Sequence, residues 1–338
     1  MAPAAPPPPH ARLFHLVAGS MITQALAIVA RARIADQLAS GPKSVAELAE
    51  VAGVDEGVLF RFLRGLASVG VFEETTPRVF AQNPVSDLLR EDAPVSFHDL
   101  SILFAGSLYE AWGSADDALR SPKSVFADTF GEEFFDYIGK RPEEQQLFAR
   151  AMSGMARGRV EVLFDADWTG VTKVVDVGGG NGTLLVALTR RVPHVQGIVF
   201  DLPDVAELAR KNVEEAGLGA RISCAGGSFF DTSPPPADAY VLSRILHDWG
   251  DADCLRILRS IRSAAPPGAR LYVLDDVIAE GNAPHPAKLL DLQMLIVSGR
   301  DGGKERTHEE WRALLDAGGF VMKGVTPGLV ARIDAVRA

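Results

Sequence analysis

A glycine-rich turn, Asp176-Val177-Gly178-Gly179-Gly180-Asn181-Gly182, follows the β-branched run Lys173–Val177 and precedes a helical stretch, Thr183–Arg191. In open α/β sheets ligands bind beyond the carboxyl ends of the strands. Glycines at that point let a ligand approach the backbone closely. A dinucleotide fingerprint starting at Gly178 needs glycine or alanine at position 183, where Thr183 stands. The Gly-Lys-Ser/Thr of a phosphate-binding loop is absent, and the turn holds no Lys or Arg. It therefore suits a ligand that is not polyanionic. Asp201 closes a second strand, where an acid can accept two charge-assisted hydrogen bonds from ribose hydroxyls. NAD enzymes share that feature. At the end of a third strand comes Gly227-Ser228-Phe229-Phe230-Asp231. There an aromatic beside a carboxylate can face an adenine and accept from its exocyclic amine, while one of the two phenylalanines is expected in the core.

These residues need a scaffold of alternating elements. Strands are expected at Gly197–Asp201, Asp238–Leu242 and Arg270–Leu274, with helices over Val205–Ala216 and Ala252–Ala264. This alternation predicts an α/β domain, a parallel, doubly wound Rossmann-like sheet in the C-terminal half. Up to about residue 165 the pattern is helical. Ser44-Val45-Ala46-Glu47 reads as a capping box, and a second helix after Gly53-Val54-Asp55 carries Leu59, Phe62, Leu63 and Leu66 before closing at Gly70. Residues 71–74 and 78–80 around Thr76-Pro77 read as a hairpin. Together they make a winged helix-turn-helix. Its second helix has only Arg61 and Arg64, flanked by Glu50, Asp55, Glu56, Glu73 and Glu74. Packing or dimerisation is favoured over DNA binding on that count.

The chain has 338 residues, 47% of them hydrophobic and 23% charged, with a formal charge of −10. That is ordinary for a globular protein of about two domains. The acidic balance disfavours nucleic acid and anionic membranes. Two cysteines, Cys224 and Cys254, make no metal or disulfide framework and fit a reducing cytoplasm. The carboxylates after His247 (Asp248, Asp251, Asp253) match no common metal-ligand spacing, so no metal is expected. Residues 1–11, MAPAAPPPPHA, read as a disordered head. Leu13–Ala30 is 18 residues without a formal charge, with Leu13, Leu16, Val17, Met21 and Ile28 near one helical stripe. A run of that length is read as a buried helix, not a membrane span, with a second subunit as its cover.

The motifs Lys173–Thr183, Phe200–Pro203, Gly227–Asp231, Leu246-His247-Asp248-Trp249 and Gly302-Gly303-Lys304-Glu305-Arg306-Thr307 follow in order along the chain. In this the chain resembles the S-adenosylmethionine (SAM)-dependent small-molecule O-methyltransferases of the caffeic-acid type, bacterial natural-product branch. The resemblance spans roughly residues 12–335, and its last two motifs are absent from a generic methyltransferase sheet. It implies a class I methyltransferase fold: a winged-helix-like dimerisation domain over 12–165 and a SAM-binding Rossmann-like catalytic domain over 166–338. It also implies a homodimer through the N-terminal helices and a hydroxylated aromatic acceptor.

By the same resemblance Asp176, Gly178 and Gly180 would hold the methionine part of SAM, and Asp201 with Leu202 the ribose. Gly227, Phe229, Phe230 and Asp231 would hold the adenine, with Ser243 and Arg244 beside the cofactor. His247 would be the general base, flanked by Asp275 and Glu305. Plant members carry Lys where Ser243 stands and Glu where Asp275 stands, and Asp276 competes with Asp275 for orienting the base. Candidates for the acceptor pocket are Leu103, Phe104, Trp112, Phe148, Met152, Asp291, Met294 and Leu295. Met152 and Met294 match positions that face the acceptor ring, and Phe148 lies one helical turn before Met152.

Methyl transfer from a sulfonium is an in-line displacement, so the enzyme's main contribution is alignment. A phenol with a pKa of about 10 can pass its proton to a neutral imidazole near 6.5. Such a base contributes roughly 10²–10⁴ in rate. The competing reading of His247 is a histidine capping a helix start, and His308 is read as exposed. Rival functions are a SAM-binding homologue that does not methylate (hydroxylase-like), a winged-helix small-molecule-responsive regulator, and an NAD dehydrogenase.

Overall fold

The computed structural model describes residues 8–338. The chain forms two compact units, the first ending at Glu110 and taking in Arg150–Gly154, the second comprising Ala111–Ala149 and Met155–Ala338. The helical stretches 111–149 and 155–165 thus group with the sheet, where the sequence pattern placed them with the first domain.

The first unit opens with helices Pro9–Val17 and Gly19–Arg31, bent by 49° at their junction. Helix therefore replaces the expected disorder from Pro9 onward; proline at the first helical position suits the start because its missing N–H has no partner there anyway. Residues 1–7 of the expected head lie outside the described residues. Among the described residues no single helix is long and apolar enough to cross a membrane. Within this chain Leu13, Phe14, Leu16, Val17 and Met21 stay exposed, while Ala27, Val29 and Ala30 enter the core.

The capping box forms: Ser44 Oγ accepts from the Glu47 N–H and the Glu47 carboxylate from the Ser44 N–H. Helix Val45–Ala52 ends at Gly53, whose φ of 68° needs no Cβ, and Asp55 caps helix Glu56–Ser68. Three strands, β1 (Lys43–Ser44), β2 (Glu73–Thr76) and β3 (Val79–Ala81), pair antiparallel in the order β1-β3-β2. The winged helix is therefore real. Its arginines are exposed, and two of them have partners within the unit: Arg64 and Arg78 lie over the Phe60 ring, and Arg78 pairs with Glu56.

The second unit is built on β4 (Lys173–Val177), β5 (Gln196–Asp201), β6 (Ile222–Gly226), β7 (Ala239–Ser243) and β8 (Arg270–Asp275). Two short strands, β9 (Val277–Ile278) and β10 (Arg306–Thr307), pair parallel to each other, and β11 (Phe320–Thr326) and β12 (Ala331–Arg337) end the chain. The seven-stranded sheet runs β11-β12-β8-β7-β4-β5-β6. Its β6-β5-β4-β7-β8 part is parallel, as the alternation predicts. The edge departs from a purely parallel sheet, since β12 is antiparallel to both β8 and β11. Four residues separate β11 from β12. That is too short for the crossover a parallel pair requires.

Period-2 alternation along buried strands gives the sheet two cores. Val175, Val177, Leu242 and Val273 pack with Ile257, Ile261 and Trp311. On the opposite face Val174, Val199 and Val241 pack with Leu184, Leu188 and Ala209.

Candidate active site

At the carboxyl end of β4, Asp176 is buried and the chain turns through three glycines with positive φ: Gly178 (72°), Gly180 (56°) and Gly182 (77°). The φ of 72° favours glycine at position 178, where a Cβ would also meet the Ile245 Cδ1 at 2.4 Å and push that side chain aside. Asp201 clasps this turn. Its Oδ2 accepts from the Gly180 N–H at 2.8 Å and its Oδ1 from the Leu202 N–H at 2.7 Å. Burial, reinforced by the Asp201 charge, pushes the Asp176 carboxyl up to about 7, and its Oδ1 has no hydrogen-bond partner. Burial also raises Asp201.

After β6, Gly227 donates its N–H to the Asp201 carbonyl at 2.8 Å. Phe229 and Phe230 are half-buried, meeting each other at 4.8 Å between ring centroids. Phe230 packs edge-on against Trp249 at 4.7 Å, under the Arg256 guanidinium. Asp231 is exposed. Leu202 is exposed as well.

The third part of the site follows β7. Ser243 ends that strand, and Arg244 takes a left-handed φ of 57°. His247 sits in the single turn Leu246–Asp248 and is 8% exposed. Its Nδ1 lies 2.9 Å from Glu305 Oε1, and its Nε2 lies 3.3 Å from Asp248 Oδ1. Burial and the Arg244 charge press the imidazole pKa down, but Asp248, Asp275 and the Glu305 hydrogen bond outweigh them and raise it. Burial opposes ionisation of Glu305, yet His247 and Arg244 hold its carboxyl below the usual range.

One expectation meets a contrary geometry. Asp275 was expected to flank and orient His247, but both of its carboxylate oxygens lack hydrogen-bond partners. Burial pushes it up to about 7. With one methylene fewer than glutamate it stops short of the ring, and Glu305 takes the Nδ1 position. The other contender, Asp276, binds Arg244 Nη1 at 2.8 Å. The Arg244 side chain pairs with three acids: Asp276, Asp275 at 3.4 Å and Glu305 at 3.1 Å.

The acceptor-pocket candidates divide between the units. In the first, Leu103 is buried, and Phe104 and Met152 are half-buried. In the second, the Trp112 indole donates to Gln293 Oε1 at 2.8 Å, and half-buried Phe148 packs on Phe134 and Phe135. Met294 is buried and Leu295 half-buried. Asp291 acts locally, its Oδ1 accepting from the Glu305 N–H at 2.9 Å and so fixing the backbone that carries that carboxylate. His308 is exposed, and no group of three or more His, Cys, Asp or Glu among the described residues could hold a metal.

Two residues escaped notice in the sequence. Arg306 is fully buried, and it donates to the Leu246 and Trp249 carbonyls (2.9 and 3.0 Å) and to Asp251, clamping the turn that carries His247. The neighbouring Gly303 leaves no room for a Cβ, which would fall 2.4 Å from the His247 carbonyl oxygen. The glycine pair ahead of Lys304 was the available signal. Arg159 is buried among the charges of Arg244, Asp275, Asp176 and Asp248, and burial brings its pKa down to about 10. Nothing in the helical pattern around it marked it out.

An O-methyltransferase domain model matches residues 112–321, and an O-methyltransferase dimerisation domain model matches residues 14–92. The chain belongs to the O-methyltransferase family. It is 38% identical to the phenazine O-methyltransferase PhzM of Lysobacter antibioticus, covering 93% of this chain and 92% of that one. It is 35% identical to the 3-amino-4-hydroxybenzoate 4-O-methyltransferase of Streptomyces cremeus, covering 96% and 88%. Among solved structures it resembles CalO1, a methyltransferase of calicheamicin biosynthesis in its SAH-bound form, with a TM-score of 0.85, 31% identity, and 97% and 98% coverage. The dimerisation domain of this O-methyltransferase is the winged-helix region, and its methyltransferase domain is the α/β unit with the segment that precedes it.

Proposed function

We propose that this O-methyltransferase moves a methyl group from SAM to a hydroxyl of an aromatic natural product. The buried His247–Glu305 pair, 2.9 Å apart, carries the reading. Support for the donor comes from the turn at β4. Asp176 Oδ1 is a buried acceptor without a partner, and the positive-φ glycines give the close approach a small cationic ligand requires. When bound, SAM supplies an electrophilic methyl on a sulfonium. Asp176, Gly178 and Gly180 receive its methionine end, with Arg159 as the cation for its carboxylate. Asp201 keeps a free lone pair on each oxygen for the ribose hydroxyls, with Leu202 beside it. Gly227, Phe229 and Phe230 line the adenine position with Asp231, and Ser243 closes it.

His247 is the general base. Its Nδ1–H donates to Glu305, leaving Nε2 to take the hydroxyl proton. The ionised Glu305 stabilises the imidazolium that forms, while Arg306 holds the turn in place. Within the second unit, Trp112, Phe148, Met294 and Leu295 are proposed to line the acceptor pocket. SAH-bound CalO1 supports the donor, and the phenazine and hydroxybenzoate enzymes support an aromatic acceptor.

Calorimetric titration should show SAM and SAH each binding at one site per chain with micromolar affinity. Hydroxyphenazine and 3-amino-4-hydroxybenzoate, incubated with SAM, should then be screened for the mass of a methyl group. Absence of binding by both SAM and SAH would overturn the reading.

We further propose a homodimer through the N-terminal helices, in the reducing cytoplasm that two free cysteines suit. The exposed Leu13, Phe14, Leu16, Val17 and Met21 are the surface a second subunit would cover. Sedimentation velocity should give a dimer for the natural chain and a concentration-dependent monomer for Met21→Glu. A monomeric natural chain would overturn the assembly.

A further inference from the structure

Arg244 is the residue with most charge and least freedom in the site. Among the described residues it is one of four non-glycine residues with positive φ, and its own N–H is tied to the Leu274 carbonyl at 3.0 Å. A left-handed arginine is strained. Its guanidinium, 11% exposed, holds it there through three acids on other parts of the fold: Asp275 and Asp276 at the end of β8, and Glu305 ahead of β10. Its Nη2 also lies 2.9 Å from His247 Nδ1, and Glu305 Oε1 lies at the same distance from that nitrogen.

These two neighbours ask opposite things of Nδ1. A guanidinium has donors only, so it accepts Nδ1 as a partner only when that nitrogen carries no proton. A carboxylate accepts only, so it requires Nδ1–H. A base that works through Nε2 needs the second arrangement, against the pull of Asp248 Oδ1, which at 3.3 Å from Nε2 favours a proton there. Arg244 Nη2 has another acceptor, Glu305 Oε1 at 3.1 Å. One oxygen can thus take the guanidinium N–H and the imidazole N–H together.

We infer that Arg244 is a positioning residue for the base: it pins Glu305 Oε1 beside His247 Nδ1, selects the Nδ1–H tautomer, and by its charge opposes protonation of the imidazole between turnovers. This rests on His247 being the general base. The groups facing the imidazole are Arg244, Asp248, Asp275 and Glu305. Arg244 is the one cation among them, and the three acids favour the imidazolium. Without the cation the base is left among acids alone, more basic and more often already protonated. Asp276, 2.8 Å from Nη1, anchors the far side of the fork.

The test is a histidine-selective ¹⁵N NMR pH titration of the SAH-bound protein, with His247→Ala assigning the His247 signals. The natural enzyme should show the Nδ1–H tautomer at high pH. Arg244→Met should move the His247 midpoint to higher pH, with about a tenfold gain in proton affinity, and mix the two tautomers. Arg244→Lys keeps the charge without the fork, so it should hold the midpoint closer to that of the natural chain while still mixing tautomers. Asp276→Asn guards against a misfolded Arg244→Met. It leaves the guanidinium in place, and should blur the tautomer preference with little change in midpoint. SAH affinity should stay within about threefold throughout, since the side chain serves the base and not the cofactor.

An unmoved midpoint and a pure tautomer in Arg244→Met would overturn the inference. So would a tenfold loss of SAH affinity with the His247 signals unchanged, which would return Arg244 to cofactor binding. Failure of the natural enzyme to transfer methyl to any phenol would be a different failure, that of the base assignment itself.

Discussion

The carboxyl edge of the sheet buries acids in two places, and they are balanced in opposite ways. At the glycine turn, Asp201 accepts from two backbone N–H groups, while Asp176 feels the Asp201 charge and leaves its Oδ1 without a hydrogen-bond partner. Among the described residues the cation acting on Asp176 is Arg159, which is shared with Asp248 and Asp275. Around the base, Glu305 and Asp276 are each bound by Arg244, whose guanidinium also lies beside Asp275. The first region is short of positive charge and the second is largely self-neutralised. That difference separates binding from chemistry. A site short of cations gains most from a cationic ligand, whereas a neutralised network is organised before anything binds. The sulfonium and ammonium of SAM answer the first condition. A fixed tautomer of His247 answers the second.

Mutating the base should therefore break the chemistry alone. His247→Ala is expected to lower turnover by about 10²-fold or more with SAM affinity within a few-fold, measured by initial rates and calorimetry on one preparation. Undiminished turnover would remove His247 from the mechanism. Asp201→Ala should do the reverse. It removes a charge-assisted acceptor and the clasp on the Gly180 N–H, so SAM affinity should fall roughly 10–100-fold. If SAM binds Asp201→Ala as it binds the natural enzyme, the contrast between the two regions collapses.

The same contrast should appear in pH. Asp176 carries a carboxyl pushed up to about 7. A cation bound beside it favours the ionised form, so SAM binding below pH 7 must expel a proton. Affinity should then tighten as pH rises from about 6 to 8, with proton release seen as buffer-dependent binding heat, and Asp176→Asn should flatten the profile. Turnover follows a different group. His247 works only when neutral, and its pKa is raised by Asp248, Asp275 and Glu305. At saturating SAM, turnover should therefore climb with pH to a midpoint above the ordinary imidazole value of about 6.5. A midpoint below that value would mean that burial and Arg244 dominate the site.

How much of this is legible in the sequence differs along the chain. The glycine turn, Asp201 and helix Thr183–Arg191 can be read because a parallel strand, a tight turn and a helix all leave local marks: a β-branched run, glycines, and period-3.6 spacing. The winged helix announces itself through Ser44, Asp55 and Gly53, each a cap. The base network shows only through the family resemblance, which names His247 and Glu305, and not through any local period or cap. Glu305 reaches His247 because β10 pairs with β9, a contact between strands of two residues each, too short to show any period. The role of Arg244 depends on a left-handed φ, which glycine, asparagine or aspartate would signal and arginine does not. The antiparallel edge is hidden as well, since Met322 and Gly324 flank a register shift that breaks the alternation of β11.

Asp275 offers the smallest effect and the finest discrimination, because sequence and structure disagree about it. If it orients the base, Asp275→Asn should cost as much as Glu305→Gln, which is expected to lose at least about tenfold in turnover. The geometry gives Nδ1 to Glu305 and leaves both Asp275 oxygens without hydrogen bonds. Asp275→Asn should therefore hold plateau turnover within about threefold. It should shift the acid limb to lower pH, since one of the acids favouring the imidazolium is gone. Stability gives an independent reading. The folded carboxyl titrates at about 7, well above the roughly 3.9 of an unfolded chain. Its contribution to stability is full below that lower value and is lost as pH rises through 7. Asparagine does not titrate, so the melting temperature of Asp275→Asn relative to the natural enzyme should rise between pH 4 and pH 8. A flat difference would mean that Arg244, 3.4 Å away, keeps Asp275 ionised in the fold throughout that range. The guanidinium would then neutralise Asp275 as fully as it does Asp276 and Glu305.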